Sequence, residues 1–202
     1  MKFLELNKKR HAIKHFNDKK VDYKDLRTAI EIAQLAPSAH NIQPWKFVVV
    51  EEKKVELAGL AYGDNNANQI NTASFAVVLF SDTDLEKRAR KIARVGGAKN
   101  FSEEQLERLM QYYPAEFARY SDQYKSDYLA LNAGLVIMNF VLALTDQGIA
   151  SNVLLGFDRD KANDLLDIEG RFRPEVVITV GYSDDKPEPS YRLPVDEIIE
   201  RR

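Results

Sequence analysis

Cysteine is absent from the 202 residues of this chain. Its absence excludes disulfides, thiolate nucleophiles, iron–sulfur clusters and cysteine zinc sites. Neither sign of charge is in excess: 29 Lys and Arg stand against 31 Asp and Glu, a net charge of -2. No general basic field is available for nucleic acid or a membrane surface, so neither is expected as a partner. The longest apolar run, 129–144, is broken by Asn132, Gly134 and Asn139. It falls short of the ~20 residues that span a bilayer, which predicts a soluble protein. The first residues show no apolar core followed by a small-residue cleavage site, so no signal peptide is expected, and a cytoplasmic location is compatible. Repeats and low-complexity segments are lacking. So are GxSxG, P-loop, GxGxxG and HExxH motifs. His11 and His15 have the i, i+4 spacing of metal ligands, but Arg10 and Lys14 beside them would repel a cation, and no metal site is expected. A chain of enzyme size without an obvious nucleophile or acid–base pair leaves the hard chemistry to a cofactor.

What is present centres on Ala36 to Val50, APSAHNIQPWKFVVV. Pro37 and Pro44 each fix φ and disfavour helix in the residue before them. Between them Ser38, His40, Asn41 and Gln43 can bond a ligand or their own backbone. Phe47–Val50 reads as a buried strand, as do Ala76–Phe80 and Val176–Val180. Helices are predicted at 1–9, from Asp22 as N-cap until Pro37 stops it, at 53–61, and at 84–95 with Gly96-Gly97 as breaker. Ser102 with Gln105 forms a capping box for the next helix. The amide-rich run 64–71 reads most simply as a loop, though its amides could also bond a flat heterocycle. Tyr112, Tyr113, Phe117, Tyr120 and Tyr124 are either core packing or a lid over a planar substrate. Residues 126–147 give the strongest helix, apolar nearly all round, with Leu131, Leu135, Met138 and Leu142 on one face. It is either one buried central helix or a meeting face between two copies. Gly156 marks a place of close backbone approach. At 45% hydrophobic, the chain can bury one domain over 1–202, with about 84–125 a helical, lid-forming excursion.

Five segments in order resemble the FMN-dependent nitroreductase family. They are Arg10-His11-x-x-Lys14-x-Phe16, Pro37-Ser38-x-x-Asn41-x-Gln43-Pro44-Trp45, Asn66-x-x-Gln69 before Ala73-Ser74, Leu155-Gly156-Phe157-Asp158, and Arg192-Leu193-Pro194. The resemblance implies an α+β fold with a central mixed β-sheet surrounded by helices, a long buried central helix, and an intertwined homodimer. It implies bound FMN, with NAD(P)H as reductant, and hydride transfer to a nitroaromatic, quinone or related small-molecule acceptor. Arg10 and Arg192 would hold the FMN phosphate, and His11 beside them is also an expected FMN-binding residue. Lys14 would sit at the pyrimidine edge of the ring, where negative charge appears on reduction. Asn66 and Gln69 would bond that same edge. Pro37, Ser38, Ala39 and Asn41 would come from the partner subunit. Backbone N–H groups at Leu155 and Gly156 would face the hydride-accepting nitrogen, so Lys14, Leu155 and Gly156 are the expected catalytic positions. Three residues depart from the family pattern. Ala12 replaces a common serine, Ser190 a common basic residue and Leu155 an acidic one found in some members. The first two remove phosphate contacts; Leu155 implies a more apolar pocket. Other flavin chemistries on the same fold, such as reductive dehalogenation or dehydrogenation, stay open here, as does flavin storage or sensing without efficient turnover.

Overall fold

The protein was analysed as a computed structural model that describes residues 2–186 and 190–202, with backbone alone over 96–100. Pro187 and Pro189, which with Pro194 predict an extended tail, lie outside these residues. Four strands, β1 (Trp45–Val50), β2 (Phe75–Asp82), β3 (Ala150–Leu154) and β4 (Phe172–Gly181), form one sheet in the order β1-β2-β4-β3. All three pairings are antiparallel. Among the described residues, the sheet becomes mixed only through one parallel bridge, Ala12 to Ser151, at the outer edge of β3.

β2 is buried at every position because helices cover both faces of the sheet. The two-residue period of the strand divides its side chains between two cores. Phe75, Val77 and Leu79 join one core with Leu26, Val136 and Phe140. Ala76, Val78 and Phe80 join the other with Leu57, Phe157 and Phe172. Each fully buried Val, Leu or Phe among them contributes about 1.5–3 kcal/mol. Pro174 is accommodated in β4 beside a register shift at Leu79/Phe80, where a strand tolerates the missing N–H. β1 is an edge strand, and its Phe47, Val48 and Val49 are accordingly only half-buried rather than buried as the apolar run suggests.

The helices are α1 (Phe3–Lys9), α2 (Tyr23–Ala33), α3 (Lys54–Gly59), α4 (Asp64–Thr72), α5 (Leu85–Asn100), α6 (Glu103–Ala118), α7 (Asp122–Asp146) and α8 (Arg159–Leu166). Asp22 caps α2, Asp158 caps α8, and the Ser102/Gln105 capping box is formed at α6. Two expectations are corrected. The amide-rich run 64–71 is helix, because Gln69 and Ile70 turn inward against the core while Asn65, Asn68 and Asn71 face outward. Gly96-Gly97 do not end α5, which continues to Asn100. A helical glycine costs only about 1 kcal/mol relative to alanine, and α5 packs along α6.

α7 differs from expectation in a way that matters for function. At 25 residues it is long and apolar enough to cross a membrane by length and composition, yet 56% of that window is buried within the fold. It lies on the sheet and α2 through Val136, Phe140 and Leu144. The opposite stripe is left uncovered: Leu131 is 68% exposed, Met138 42% and Leu135 39%.

Candidate functional site

The basic segment 10–15 runs along the edge of β3. Ala12 bridges Ser151, and the Ile13 N–H donates to the Ser151 carbonyl at 3.1 Å. The backbone is thereby fixed while Lys14 stays exposed. The C-terminal tail returns to the same place. Arg10 and His11 share a cleft of about 330 Å³ with Ser190 and Arg192. A second cleft, of about 470 Å³, is lined by His11, Ala12, Lys14 and Ser190. At its rim His15 Nδ1 hydrogen-bonds Asp185 Oδ2 at 2.9 Å. The two arginines predicted to hold an anion therefore line one cleft, and His11 and Ser190 line both clefts.

β3 delivers the next group. Past Leu154 the chain makes a tight turn in which the Leu155 carbonyl accepts the Phe157 N–H at 3.2 Å. Peptide planarity then turns the Gly156 N–H the opposite way, and it has no acceptor among the described residues. The Gly156 carbonyl is held by the Tyr62 N–H at 2.8 Å and by Asn66 Nδ2 at 3.4 Å. Asn66 Nδ2 also donates to the Tyr62 carbonyl at 3.0 Å. A Cβ on residue 156 would lie 2.8 Å from Asn66 Nδ2, so a side chain there would displace the Asn66 amide from the Gly156 carbonyl. Gln69 is 3% exposed, and its Oε1 accepts from Asn152 Nδ2 on β3 at 2.7 Å. Arg10, His11, Lys14, Asn66, Gln69, Leu155, Gly156 and Arg192 are thus all tied to β3 or to the clefts at its edge.

Pro37, Ser38, Ala39 and Asn41 lie elsewhere, against α6 and the first half of α7. No hydrogen bond among the described residues joins them to the β3 group. Their loop carries three non-glycine residues at positive φ: His40 (55°), Asn41 (52°) and Gln43 (48°). Each costs about 1–2 kcal/mol and persists only where the surroundings over-determine it. Here Asn132 Oδ1 accepts the Ala39 N–H at 3.1 Å, and Ser38 Oγ accepts the Gln43 N–H at 2.9 Å. Arg88 donates to the carbonyls of Ile42 and Gln43. Tyr128 donates its hydroxyl to the Ala39 carbonyl at 2.6 Å. Sequence reading missed these supports. Asn132 and Tyr128 look like interruptions in an apolar helix and Arg88 like one of many surface cations. The polar residue inside an otherwise apolar helix was the available signal.

Two buried ionisable groups have shifted equilibria. Burial raises the Asp82 pKa against the pull of Arg171, 3.6 Å away, and of the Asp84 N–H. Burial likewise raises the Tyr128 phenol above its ordinary value. The folded state therefore keeps a proton that the unfolded chain loses near pH ~10. Stability should be unaffected by this group below pH ~10 and fall above it, by up to about 1.4 kcal/mol per pH unit. Denaturant midpoints compared at pH ~9 and pH ~11 measure the fall, and Tyr128→Phe should remove Tyr128's share of it.

Residues 8–182 match the profile of the Nitroreductase family. A Streptococcus pyogenes protein provisionally named an NAD(P)H nitroreductase is 64% identical over 203 residues, covering 100% of both chains. The crystal structure of a nitroreductase family protein from Streptococcus pneumoniae superimposes with a TM-score of 0.95 at 73% identity, again over 100% of both chains. A nitroreductase-like protein from Exiguobacterium sibiricum, solved in complex with FMN, gives a TM-score of 0.91 at 26% identity, over 100% of this chain and 98% of that one. With the profile spanning most of the chain and the fold shared from end to end, this protein belongs to the nitroreductase family.

Proposed function

We propose that this chain is an FMN-dependent oxidoreductase that passes a hydride from NAD(P)H to a nitroaromatic, quinone or related acceptor, in the cytoplasm. The observation that carries the reading is the meeting of Arg10 and Arg192, from opposite ends of the chain, at one cleft beside β3. Two guanidinium groups there, with Lys8 lining the same cleft, suit a phosphate monoester, each guanidinium offering a charge-assisted fork. The residues also fit the ring. Gly156 lets the backbone approach closely, and its unengaged N–H is a donor for a ring nitrogen. Asn66, with its amide nitrogen committed to backbone carbonyls, keeps Oδ1 as an acceptor.

FMN, when bound, supplies the two-electron chemistry. The chain's own residues do the rest. Arg10 and Arg192 anchor the phosphate, Lys14 places positive charge at the edge of the ring, and Asn66 and Gln69 fix the ring's orientation. Leu155, 64% exposed, gives the acceptor an apolar surface beside the Gly156 N–H.

The site is completed by a second copy of the chain. The Pro37–Asn41 loop lies apart from the β3 group, the Leu131–Leu135–Met138 stripe of α7 is bare, and the tail leaves Val195, Ile198 and Ile199 exposed at 61–69%. β1 also keeps one unpaired edge, beside a cleft of about 400 Å³. An intertwined homodimer would cover these surfaces and bring the loop of one copy to the site of the other. We read residues 1–202 as one FMN-binding domain with 84–125 as its excursion.

The test is a visible spectrum of the purified protein before and after anaerobic NADPH or NADH. A bound-flavin spectrum that bleaches, then recovers on adding a quinone or nitroaromatic, is the expected result. Flavin that stays bound but does not bleach would favour storage or sensing. A protein that remains colourless after reconstitution overturns the reading.

A further inference from the structure

α4 meets β3 through two side-chain amides. Asn66 and Gln69 stand three residues apart and so share one face of the helix. Asn66 Nδ2 reaches the Gly156 carbonyl just past the end of the strand. Gln69 Oε1 accepts from Asn152 Nδ2 within the strand at 2.7 Å. Asn152 is itself held on both sides. It pairs with buried Thr179 of β4, whose hydroxyl donates to the Asn152 carbonyl at 3.4 Å. Its neighbour Ser151 bridges Ala12 and accepts the Ile13 N–H, so the backbone that carries Asn152 also fixes the segment leading to Lys14.

A primary amide has two unlike ends: its oxygen accepts and its nitrogen donates. When one end of a buried amide is engaged, the other is the end it offers to a ligand. Asn152 occupies the Gln69 oxygen, and Gln69 Nε2 makes no hydrogen bond among the described residues. Gln69 therefore offers a donor. Asn66, with its nitrogen committed to the Tyr62 and Gly156 carbonyls, offers an acceptor. The sense of the Gln69 amide matters most for a ligand that gains negative charge, because a donor stabilises that charge and a carbonyl oxygen opposes it.

We propose that Asn152 is a positioning residue. By holding Gln69 Oε1 it fixes Gln69 Nε2 as a donor to the flavin ring, and so favours the reduced, negatively charged ring over the oxidised one. The step rests on the FMN-dependent activity proposed above. It adds a residue that acts through Gln69 rather than on the ring, and that sets the driving force for taking up a hydride. A pair that did no more than fasten α4 to β3 would support stability and leave the flavin's potential alone.

The test is the midpoint potential of bound FMN, read by spectroelectrochemical titration of the flavin-loaded protein. Asn152→Leu keeps a branched side chain and removes the donor. It should weaken the preference for reduced over oxidised FMN by about tenfold, the scale of one hydrogen bond to a charged group. For a two-electron couple that lowers the potential by about 30 mV. In a Gln69→Met background the same change should alter the preference by less than about twofold, since the group it acts through is gone. A further measurement needs no variant. In 15N–1H spectra of the unmodified, FMN-loaded chain, reduction with dithionite should shift the Gln69 Nε2 protons and leave the Asn152 Nδ2 protons nearly unmoved. This comparison decides the matter even if Asn152→Leu does not fold. The proposal is overturned if a folded Asn152→Leu keeps the original potential, if the loss is as large in the Gln69→Met background, or if the Asn152 protons respond to reduction and those of Gln69 do not. A chain that binds no FMN overturns the activity reading and this step together. FMN that binds and is reduced at the same potential with and without Asn152 overturns this step alone.

Discussion

Alanine at Arg10 should lower FMN affinity by about 10–100-fold, and alanine at both Arg10 and Arg192 by about 1,000-fold or more. The expectation follows from the two guanidinium groups sharing one cleft. Hydrogen bonds to a charged group are each worth about 1.5–3 kcal/mol, and a phosphate that loses a guanidinium fork loses both charge pairing and orientation. Ser190 and Ala12 carry no charge, which leaves Lys8 as the other cation lining that cleft. Equilibrium dialysis or flavin-fluorescence titration reads the effect, with riboflavin as control. Riboflavin lacks the phosphate, so its weaker binding should change by less than about threefold in the same variants. Equal losses for both flavins would show that the arginines support the fold rather than the phosphate. Arg10→Lys should recover only part of the affinity, since an ammonium supplies charge without the planar fork.

The second large effect concerns stability. Arg88→Ala should cost about 3–5 kcal/mol and lower the melting temperature by about 6–20 °C. Arg88 donates to the Ile42 and Gln43 carbonyls, at the end of a run in which three residues hold positive φ. Its charge also opposes the burial of Asp82, which is 1% exposed. Removing it leaves two carbonyls without their donor and a buried carboxylate with Arg171 as its remaining cation. Lys87→Ala, one residue away on the exposed side of α5, should change stability by less than about 0.5 kcal/mol. Differential scanning calorimetry of both variants is the check; similar small shifts would mean that the loop is held by Asn132 and Tyr128 alone. Asp82→Asn in the Arg88→Ala background should recover part of the loss, because the uncompensated charge is then gone.

The strands were legible because apolar β-branched runs bounded by polar turns have few other solutions. Phe75–Asp82 and Phe172–Gly181 confirm that reading with longer bounds. Capping residues Asp22, Ser102 and Asp158 were equally plain, since each places a side-chain acceptor where orphan N–H groups must be satisfied. The amide run 64–71 misled because isolated propensity for Asn is low, whereas burial of Gln69 and Ile70 settles the matter in three dimensions. The site residues were visible only as ordered fragments of a family pattern. That Arg10 meets Arg192, and that Asn66 faces Gly156, depends on contacts between segments far apart in the chain, and no local rule encodes them. Asn132, Tyr128 and Arg88 stayed hidden for the same reason: their partners are carbonyls of a loop whose shape the sequence does not announce.

The bare stripe on α7 has a consequence for how the protein would behave on dilution. If the flavin is clasped between two copies, cofactor capture and subunit association are linked equilibria. Each bound flavin then draws monomers together by mass action, and each dissociation event releases both partners and cofactor. Leu131, Leu135 and Met138 would act as a concentration gauge, keeping the site loaded where the protein is abundant and emptying it where the protein is scarce.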